Sequence, residues 1–492
     1  MLLSIDQGTS STKTLLFDEA GQILARASEP LKTAYLSDGF VEQDPEEVLS
    51  NVLISVEKCL TDFKSKGYDL SLITACGISN QRETFVLWDK TGKPLYNAVV
   101  WQCKRSVSIC ERLKQEGLEA EITQKTGLIL DPYFSGTKLL WLYENNPEVK
   151  EAIDAGNAYF GTIDTWLLYK LTNGKSFATD HTNASRTLFF NLQTQSWDGA
   201  ILENFGLSSL NLAEIKPSSA YFGDTNLNGL LPQDIAITGM IGDSHAAAFG
   251  EGCFSAGTAK VTMGTGCSIL MNIGEKAMPS TKGMMTTVCW STEKRTDFAL
   301  EGVIVSCGAT VEWLKNEMGL FENSRETEAM ASSLSDNGGV YLVPAFSGLG
   351  APHWQMNRKA SIVGLTFGTT KNHLVRAALE SIAYQVKDVI VAMEADTGIS
   401  LTEIVVDGGI SVNRFVMQFL ADLLGIPVIN IGIADVSALG AAYVAGLKSG
   451  LYTDFEQLKQ LNNHITTVNP STERGYALEA YQGWKRAINA NE

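Results

Sequence analysis

A two-domain α/β protein with a ligand cleft between its halves is the fold class the sequence predicts. The chain has 492 residues, more than one ordinary domain of roughly 150 residues. A strand–turn–strand unit at the amino terminus recurs about half a chain length later. Segments of strand and helix periodicity alternate between and after the two units, the pattern of α/β layers.

Leu2–Ile5 reads as a strand, Asp6-Gln7-Gly8-Thr9-Ser10-Ser11 as a polar turn and Thr12–Phe17 as a second strand. After the turn Asp18–Gly21, Gln22–Ala27 completes a meander. Asp44 caps a helix with Pro45 at its first position, and Val48, Leu49, Val52, Leu53 and Val56 supply its apolar face. Leu72–Ile78 is a strand that delivers Gln81-Arg82-Glu83 to a turn. Another apolar strand ends near Gly242, and Asp243-Ser244-His245 leads into a small-residue helix, Ala246–Phe249. The domain boundary falls near Gly250, giving domains 1–250 and 251–492. In the second, Ala259–Met263, the turn Gly264-Thr265-Gly266, Ser268–Ile273 and, after a loop, Met284–Cys289 repeat the meander. A strand ending near Val305, a helix through Trp313, a long helix from His373 to about Ala395, a strand at Ile404–Asp407 and helices from Asn413 and Ser437 follow.

A net charge of -17 opposes non-specific attachment to nucleic acid or an anionic membrane, because both depend on clustered Lys and Arg. Met1–Ile5 lacks the basic start and long apolar run of a secretory signal, and no segment reaches spanning length. The eight cysteines include no C-x-x-C pair, so buried thiols in a reducing cytoplasm are expected. His245 and His353 have no second histidine at ligand spacing and read as packed or surface imidazoles, not metal ligands.

Asp6 to Lys13 combines a tight glycine turn, hydroxyls, one cation and a carboxylate able to hold hydrated magnesium. Facing Gly264-Thr265-Gly266 across a cleft, it would surround phosphate groups with N–H donors; alone it is also an ordinary turn. Val406-Asp407-Gly408-Gly409 before Asn413 would let backbone pass close to an adenosine, or is a plain strand-to-helix turn. Asp243 can be a helix cap or a base, and Arg82-Glu83 a surface ion pair or a clamp for vicinal hydroxyls.

Tyr133-Phe134-Ser135-Gly136-Thr137-Lys138-Leu139-Leu140-Trp141-Leu142-Tyr143-Glu144-Asn145 fits one family signature. Ala360-Ser361-Ile362-Val363-Gly364-Leu365, followed by His373-Leu374 and Ala377-Ala378-Leu379-Glu380, fits the second. With Asn80–Thr84, Val100–Cys103, Asp180–Arg186 and Pro344–Pro352, the chain resembles the FGGY carbohydrate kinases over essentially its whole length, above all the members that act on glycerol. The resemblance implies a two-domain actin-like ATPase (sugar kinase/ribonuclease H-like) fold with an interdomain cleft. It implies ATP and Mg2+ as cofactors, a small polyol as partner, and ATP-dependent phosphorylation of glycerol to sn-glycerol 3-phosphate by a cytoplasmic homodimer or homotetramer.

In that reading domain 1–250 carries the polyol site and the first phosphate turn, and domain 251–492 the second turn and the adenosine site. Arg82, Glu83 and Tyr133 would bond substrate hydroxyls, Trp101 would pack on the carbon chain, and Asp243 would take the proton of the attacking hydroxyl. Asp6, through water, and Asp243 would hold magnesium. Thr9, Ser10, Ser11, Lys13, Thr265 and Gly266 would surround the phosphates, with Gly308, Glu312, Gly409 and Asn413 at the adenosine.

Departures from the family pattern are Ser244 for a usual Gln, Ser268 for a usual Phe, Lys13 for Arg and Glu312 for Gln. Two hydroxyls in place of an aromatic wall and a long amide imply a larger, wetter pocket, so erythritol, threitol or a xylulose-like ketose is the alternative acceptor. A nucleotide-driven conformational ATPase would not need Arg82, Glu83, Trp101 and Tyr133, and a degenerate binding module would have lost Asp6 or Asp243. Asn228–Asp234 has no Arg and Ser218–Asn226 no His, so neither inhibition by fructose bisphosphate nor histidine phosphorylation is expected.

Overall fold

The computed structural model describes residues 1–462 and 466–490. Strands β1 (Leu2–Gln7), β2 (Ser11–Phe17) and β3 (Ile23–Pro30) form the first meander through consecutive antiparallel pairs. Helix α1 (Pro45–Ser65) starts as expected, with the Asp44 carboxylate accepting from Glu46 N at 2.9 Å. Val48, Val52, Val56 and Phe63 bury its apolar stripe on the meander. Strand β4 (Ala75–Asn80) runs parallel to β1; it begins later than the expected Leu72, because Leu70–Leu72 closes as a 3-10 turn. Strands β5 (Ser219–Thr225) and β6 (Ile235–Gly242) complete a sheet ordered β5-β6-β4-β1-β2-β3. Helix α2 (Ser135–Asn145) lies over a smaller second sheet that includes Phe85–Trp88, and α3 (Asp243–Gly250) leaves the end of β6.

The second half is built on β7 (Thr258–Met263), β8 (Cys267–Gly274), β9 (Met285–Ser291), β10 (Thr296–Ile304), β11 (Glu403–Asp407), β12 (Val428–Asn430) and β13 (Thr466–Val468), ordered β9-β10-β8-β7-β11-β12-β13. The expected meander is therefore corrected: β10, not β9, pairs with β8. Thr292–Arg295 is a tight turn closed by Thr292 N donating to Arg295 O at 2.7 Å, which makes β9 and β10 a hairpin and sends β9 to the sheet edge.

Helices α4 (Gly308–Asn316), α5 (Lys371–Thr397), α6 (Arg414–Leu424) and α7 (Val436–Ser449) follow. Helix α7 lies across the first sheet, where Ser4 Oγ donates to Ala438 O at 2.7 Å and Thr238 Oγ1 to Ala445 O at 3.0 Å. It also packs backbone to backbone on α3: a Cβ on Gly440 would stand 1.8 Å from Ala246 O. The α3–α7 pair is the waist between the halves. The eight cysteines are free and buried, and no helix among the described residues is long and apolar enough to cross a membrane.

Candidate active site

Three neighbouring parallel strands of the first sheet end on one edge, where Gln7 and Gly242 both pair with Asn80. That register brings Asp6 of β1, Arg82 after β4 and Asp243 after β6 together, at the strand ends where open α/β sheets bind ligands. They line a cavity of about 630 Å³ with Lys13 and Ser244. The facing wall comes from the second half: Lys260, Thr262 and Ser268 on β7 and β8, then Asp407, Gly408 and the segment 430–437.

Behind the cavity lies a ring of buried charge. Arg82 Nη2 donates to Glu301 Oε1 at 2.8 Å and to Tyr133 Oη at 3.2 Å, and its Nε is 3.4 Å from Asp243 Oδ1. Arg186 Nε donates to Glu83 Oε1 at 2.7 Å, and its Nη2 is 2.7 Å from Glu301 Oε2. Arg82 and Glu83 are thus buried and not a surface pair. Burial disfavours the Glu301 anion, but Arg186 and Arg82 outweigh it and hold the carboxyl well below its ordinary range. Arg82 Nη1 is buried with no hydrogen-bond partner among the described residues, so it is free to donate.

Asp243 occupies the first helical position and Gly242 the cap, so the cap reading is removed. Its carboxylate accepts from Ser244 N at 2.6 Å and stays 40% exposed to the cleft. Desolvation by the surrounding protein pushes its pKa up against the pull of Arg82. Asp6 is pushed up to about 6, by burial first and by the charge of Asp243 second, while the Ser79 hydroxyl donates to it at 3.0 Å.

Trp101 Nε1 donates to Thr9 Oγ1 at 2.8 Å, and its ring meets Tyr133 edge-on at 5.5 Å. Buried Lys138 fixes both aromatics by donating to Tyr133 O at 2.7 Å and Trp101 O at 3.3 Å. Lys13 reaches across the cleft to Asp435 at 2.9 Å. Ser10 is exposed and Ser11 begins β2. The Thr265-Gly266 turn is tied to α4 by Gly308 N and Ala309 N, which donate to Gly264 O at 2.9 Å and Thr265 O at 3.1 Å. Gly408 has φ 87° and its Cβ would lie 2.5 Å from Met263 O, so backbone alone fits there. Gly409 faces open space. Asn413 caps α6 and donates to Thr327 Oγ1 at 3.1 Å, and Glu312, exposed on α4, accepts from Ser324 Oγ at 3.2 Å. Of these expected adenosine residues none lines the cavity itself, whereas Gly408 and Ser411 do.

Sequence reasoning missed Arg186, Glu301, Lys260 and Asp435. A signal existed for two of them: Glu301 and Lys260 are charges set directly between apolar or small neighbours in their strands, which burial tolerates only with partners.

The model of the FGGY family of carbohydrate kinases, N-terminal domain, matches residues 1–250, and that of its C-terminal domain matches residues 259–449. The chain belongs to the FGGY family of carbohydrate kinases. As a member it is a phosphotransferase acting on an alcohol group. This FGGY chain is 45% identical to glycerol kinase of Carboxydothermus hydrogenoformans over 99% of its own length and 97% of that protein's. It is 46% identical to glycerol kinase of Symbiobacterium thermophilum over the same shares. A crystal structure of Plasmodium falciparum glycerol kinase with ADP superposes with a TM-score of 0.94 at 36% identity, covering 99% of this chain and 97% of that one. Xylulose kinase of Lactobacillus acidophilus, at 22% identity and a TM-score of 0.88, shares the two-domain FGGY fold.

Proposed function

We propose that this FGGY kinase transfers the γ-phosphoryl group of ATP to glycerol, giving sn-glycerol 3-phosphate. The observation that carries the reading is the convergence of Asp243, the Arg82 clamp and Asp6 on one cavity between the two halves. The donor set fits a magnesium nucleotide: burial and the charge of Asp243 raise the cost of ionising Asp6 in a shared site, which a hydrated cation would relieve. Gly408 leaves a backbone-lined cradle where a side chain would clash. Bound magnesium would neutralise phosphate oxygens as charge shifts during transfer.

The chain's own groups do the rest. Arg82 donates to one polyol hydroxyl through its unpaired Nη1 and Glu83 accepts from another, while Tyr133 and Trp101 enclose the carbon chain. Asp243 takes the proton as the attacking hydroxyl oxygen bonds to phosphorus and the bond to the ADP oxygen breaks. Its exposed side lets that proton reach water. Thr9, Ser10, Ser11, Lys13, Thr265 and Gly266 approach the phosphates, and Gly308, Glu312, Gly409 and Asn413 the adenosine. We place the reaction in the cytoplasm, in a homodimer or homotetramer whose mass light scattering would measure.

The 3.3 Å pair of Ser244 and Ser268 favours a second acceptor class, polyols or ketoses of four or five carbons. Coupled ADP release over glycerol, dihydroxyacetone, erythritol, threitol, xylitol, ribulose and xylulose ranks these acceptors, with glycerol expected first. A tenfold preference for another acceptor would overturn the choice of glycerol. In Asp243→Asn the amide cannot accept the proton, so turnover should fall about 10²–10⁴-fold with ATP binding retained. Near-normal turnover would remove Asp243 from the mechanism.

A further inference from the structure

Lys260 lies in the middle of β7, is 1% exposed, and takes part in no step above. A buried ammonium is costly unless its hydrogens are used, and the partner it has taken is informative. Its charge and that of Asp407 both act on the buried carboxyl of Glu251, the residue that follows α3. Yet both Glu251 oxygens and Asp407 Oδ1 are buried with no hydrogen-bond partner among the described residues. Lys260 Nζ donates instead to Ser244 Oγ, at 2.7 Å. A lysine kept only to balance charge would close on a carboxylate, which gives the stronger, charge-assisted bond.

Ser244 is the residue after the base. Its N–H donates to Asp243 Oδ1 at 2.6 Å, so the two share the first turn of α3. Two other ties reach the backbone of that turn: Gly242 N donates to Thr182 Oγ1 at 2.9 Å, and Ser437 Oγ to Asp243 O at 3.1 Å. Lys260 grips a side chain, and it does so from a strand of the second sheet. With the ammonium donating, the Ser244 hydroxyl proton is left for Ser268 Oγ, 3.3 Å away on the neighbouring strand β8. Lys260, Ser244 and Ser268 all border the cavity that holds Asp243.

We propose that Lys260 is a positioning residue for phosphoryl transfer: through Ser244 it fixes the first turn of α3 against the second sheet and so aims Asp243 at the attacking hydroxyl. The proposal rests on the kinase reading above. Reacting groups must be held closely in line, and a displacement of about 1 Å can cost about a hundredfold in rate. Asp243 is carried by β6 of the first sheet, whereas the turn Gly264-Thr265-Gly266, which approaches the phosphates in that reading, follows β7 directly. A tie from β7 to the residue beside the base sets these two parts of the site against each other.

The test measures ADP release by the full chain with magnesium ATP and the acceptor that the ranking above places first. Lys260→Met, which keeps an apolar stem but cannot donate, should lower kcat about tenfold or more, with KM for acceptor and for ATP within about threefold of wild type. Lys260→Arg, still able to donate to Ser244, should recover part of kcat. Ser244→Ala removes the accepting oxygen and should lower kcat about threefold or more; combined with Lys260→Met it should cost little further, because both changes break one bond. Should Lys260→Met fail to fold, Ser244→Ala decides by itself. An unchanged kcat in either folded variant overturns the proposal and leaves the kinase reading intact. A rise in KM in Lys260→Met in place of the fall in kcat also overturns it, making Lys260 a ligand contact. So do additive losses in the double variant, since Lys260 would then act by a route other than Ser244. A wild type that releases no ADP with any of the acceptors removes the kinase reading and the proposal together.

Discussion

Glu301 ties Arg82 in place, because one carboxylate answers two guanidiniums, those of Arg82 and Arg186. Its folded pKa lies below the ordinary 4.5, so its stabilising contribution is full above pH 4.5 and is lost only as acid drives the pH down through the lower folded value. Glu301→Gln removes that anion, leaving Arg186 with Glu83 alone and Arg82 with Glu83 and the partly exposed Asp243. A loss of about 3–5 kcal/mol is expected, as when one member of a buried ion pair is removed. The loss should be level between pH 5 and 8 in urea unfolding, and KM for the polyol should rise as Arg82 swings free. A loss under about 1 kcal/mol with unchanged KM would mean that the ring is not what orients Arg82. Arg82, Glu83 and Asp243 were legible in the sequence because each sits in a short polar stretch at the end of an apolar strand. Arg186 was not, and Glu301 showed only as a charge within a strand, because their partners lie more than a hundred positions away in the chain.

Helix α7 was legible as a helix, and its small residues gave no hint of which sheet it would cover. Its destination depends on two backbones approaching more closely than any Cβ allows, which is a property of the pair and not of either segment. The second meander failed for the opposite reason: Met285–Ser291 has ordinary strand character, and only the short Thr292–Arg295 turn tells that it must pair with β10 instead of β8. The α3–α7 contact yields a direct prediction. Gly440→Ala puts a methyl group 1.8 Å from Ala246 O, so α7 or α3 must shift. Overpacking of this kind costs about 1–3 kcal/mol, and Asp243, at the first position of α3, should move with its helix. A lowered urea midpoint together with reduced kcat is expected. Unchanged stability would show that the waist is looser than the backbone contact implies.

At the scale of the whole molecule, the cavity is divided between two sheets joined through the α3–α7 waist, so its width depends on their relative angle. Arg82 and Asp243 stand on the first sheet's edge, while Asp407, Gly408 and the 430–437 segment stand on the second's. In the proposed reading a nucleotide on one wall and a polyol on the other would be brought into line by closing that angle, which would also exclude the water that otherwise accepts the phosphoryl group. The ties across the cleft differ in how they resist such motion. Glu301 with Arg82 and Arg186 is buried at the base and should hold through such motion, whereas Lys13 with Asp435 joins a side chain 36% exposed to one 5% exposed and should open more readily. Closure should therefore require both ligands and be centred on the waist. Small-angle scattering should give a smaller radius of gyration with polyol and a non-hydrolysable ATP analogue together than with either alone. ATP hydrolysis without polyol should be slow, since the open cleft leaves the phosphates out of line with Asp243. Superimposable scattering curves for the free and doubly liganded protein, with fast polyol-independent hydrolysis, would mean that the site is already closed and that water is kept out by some other element.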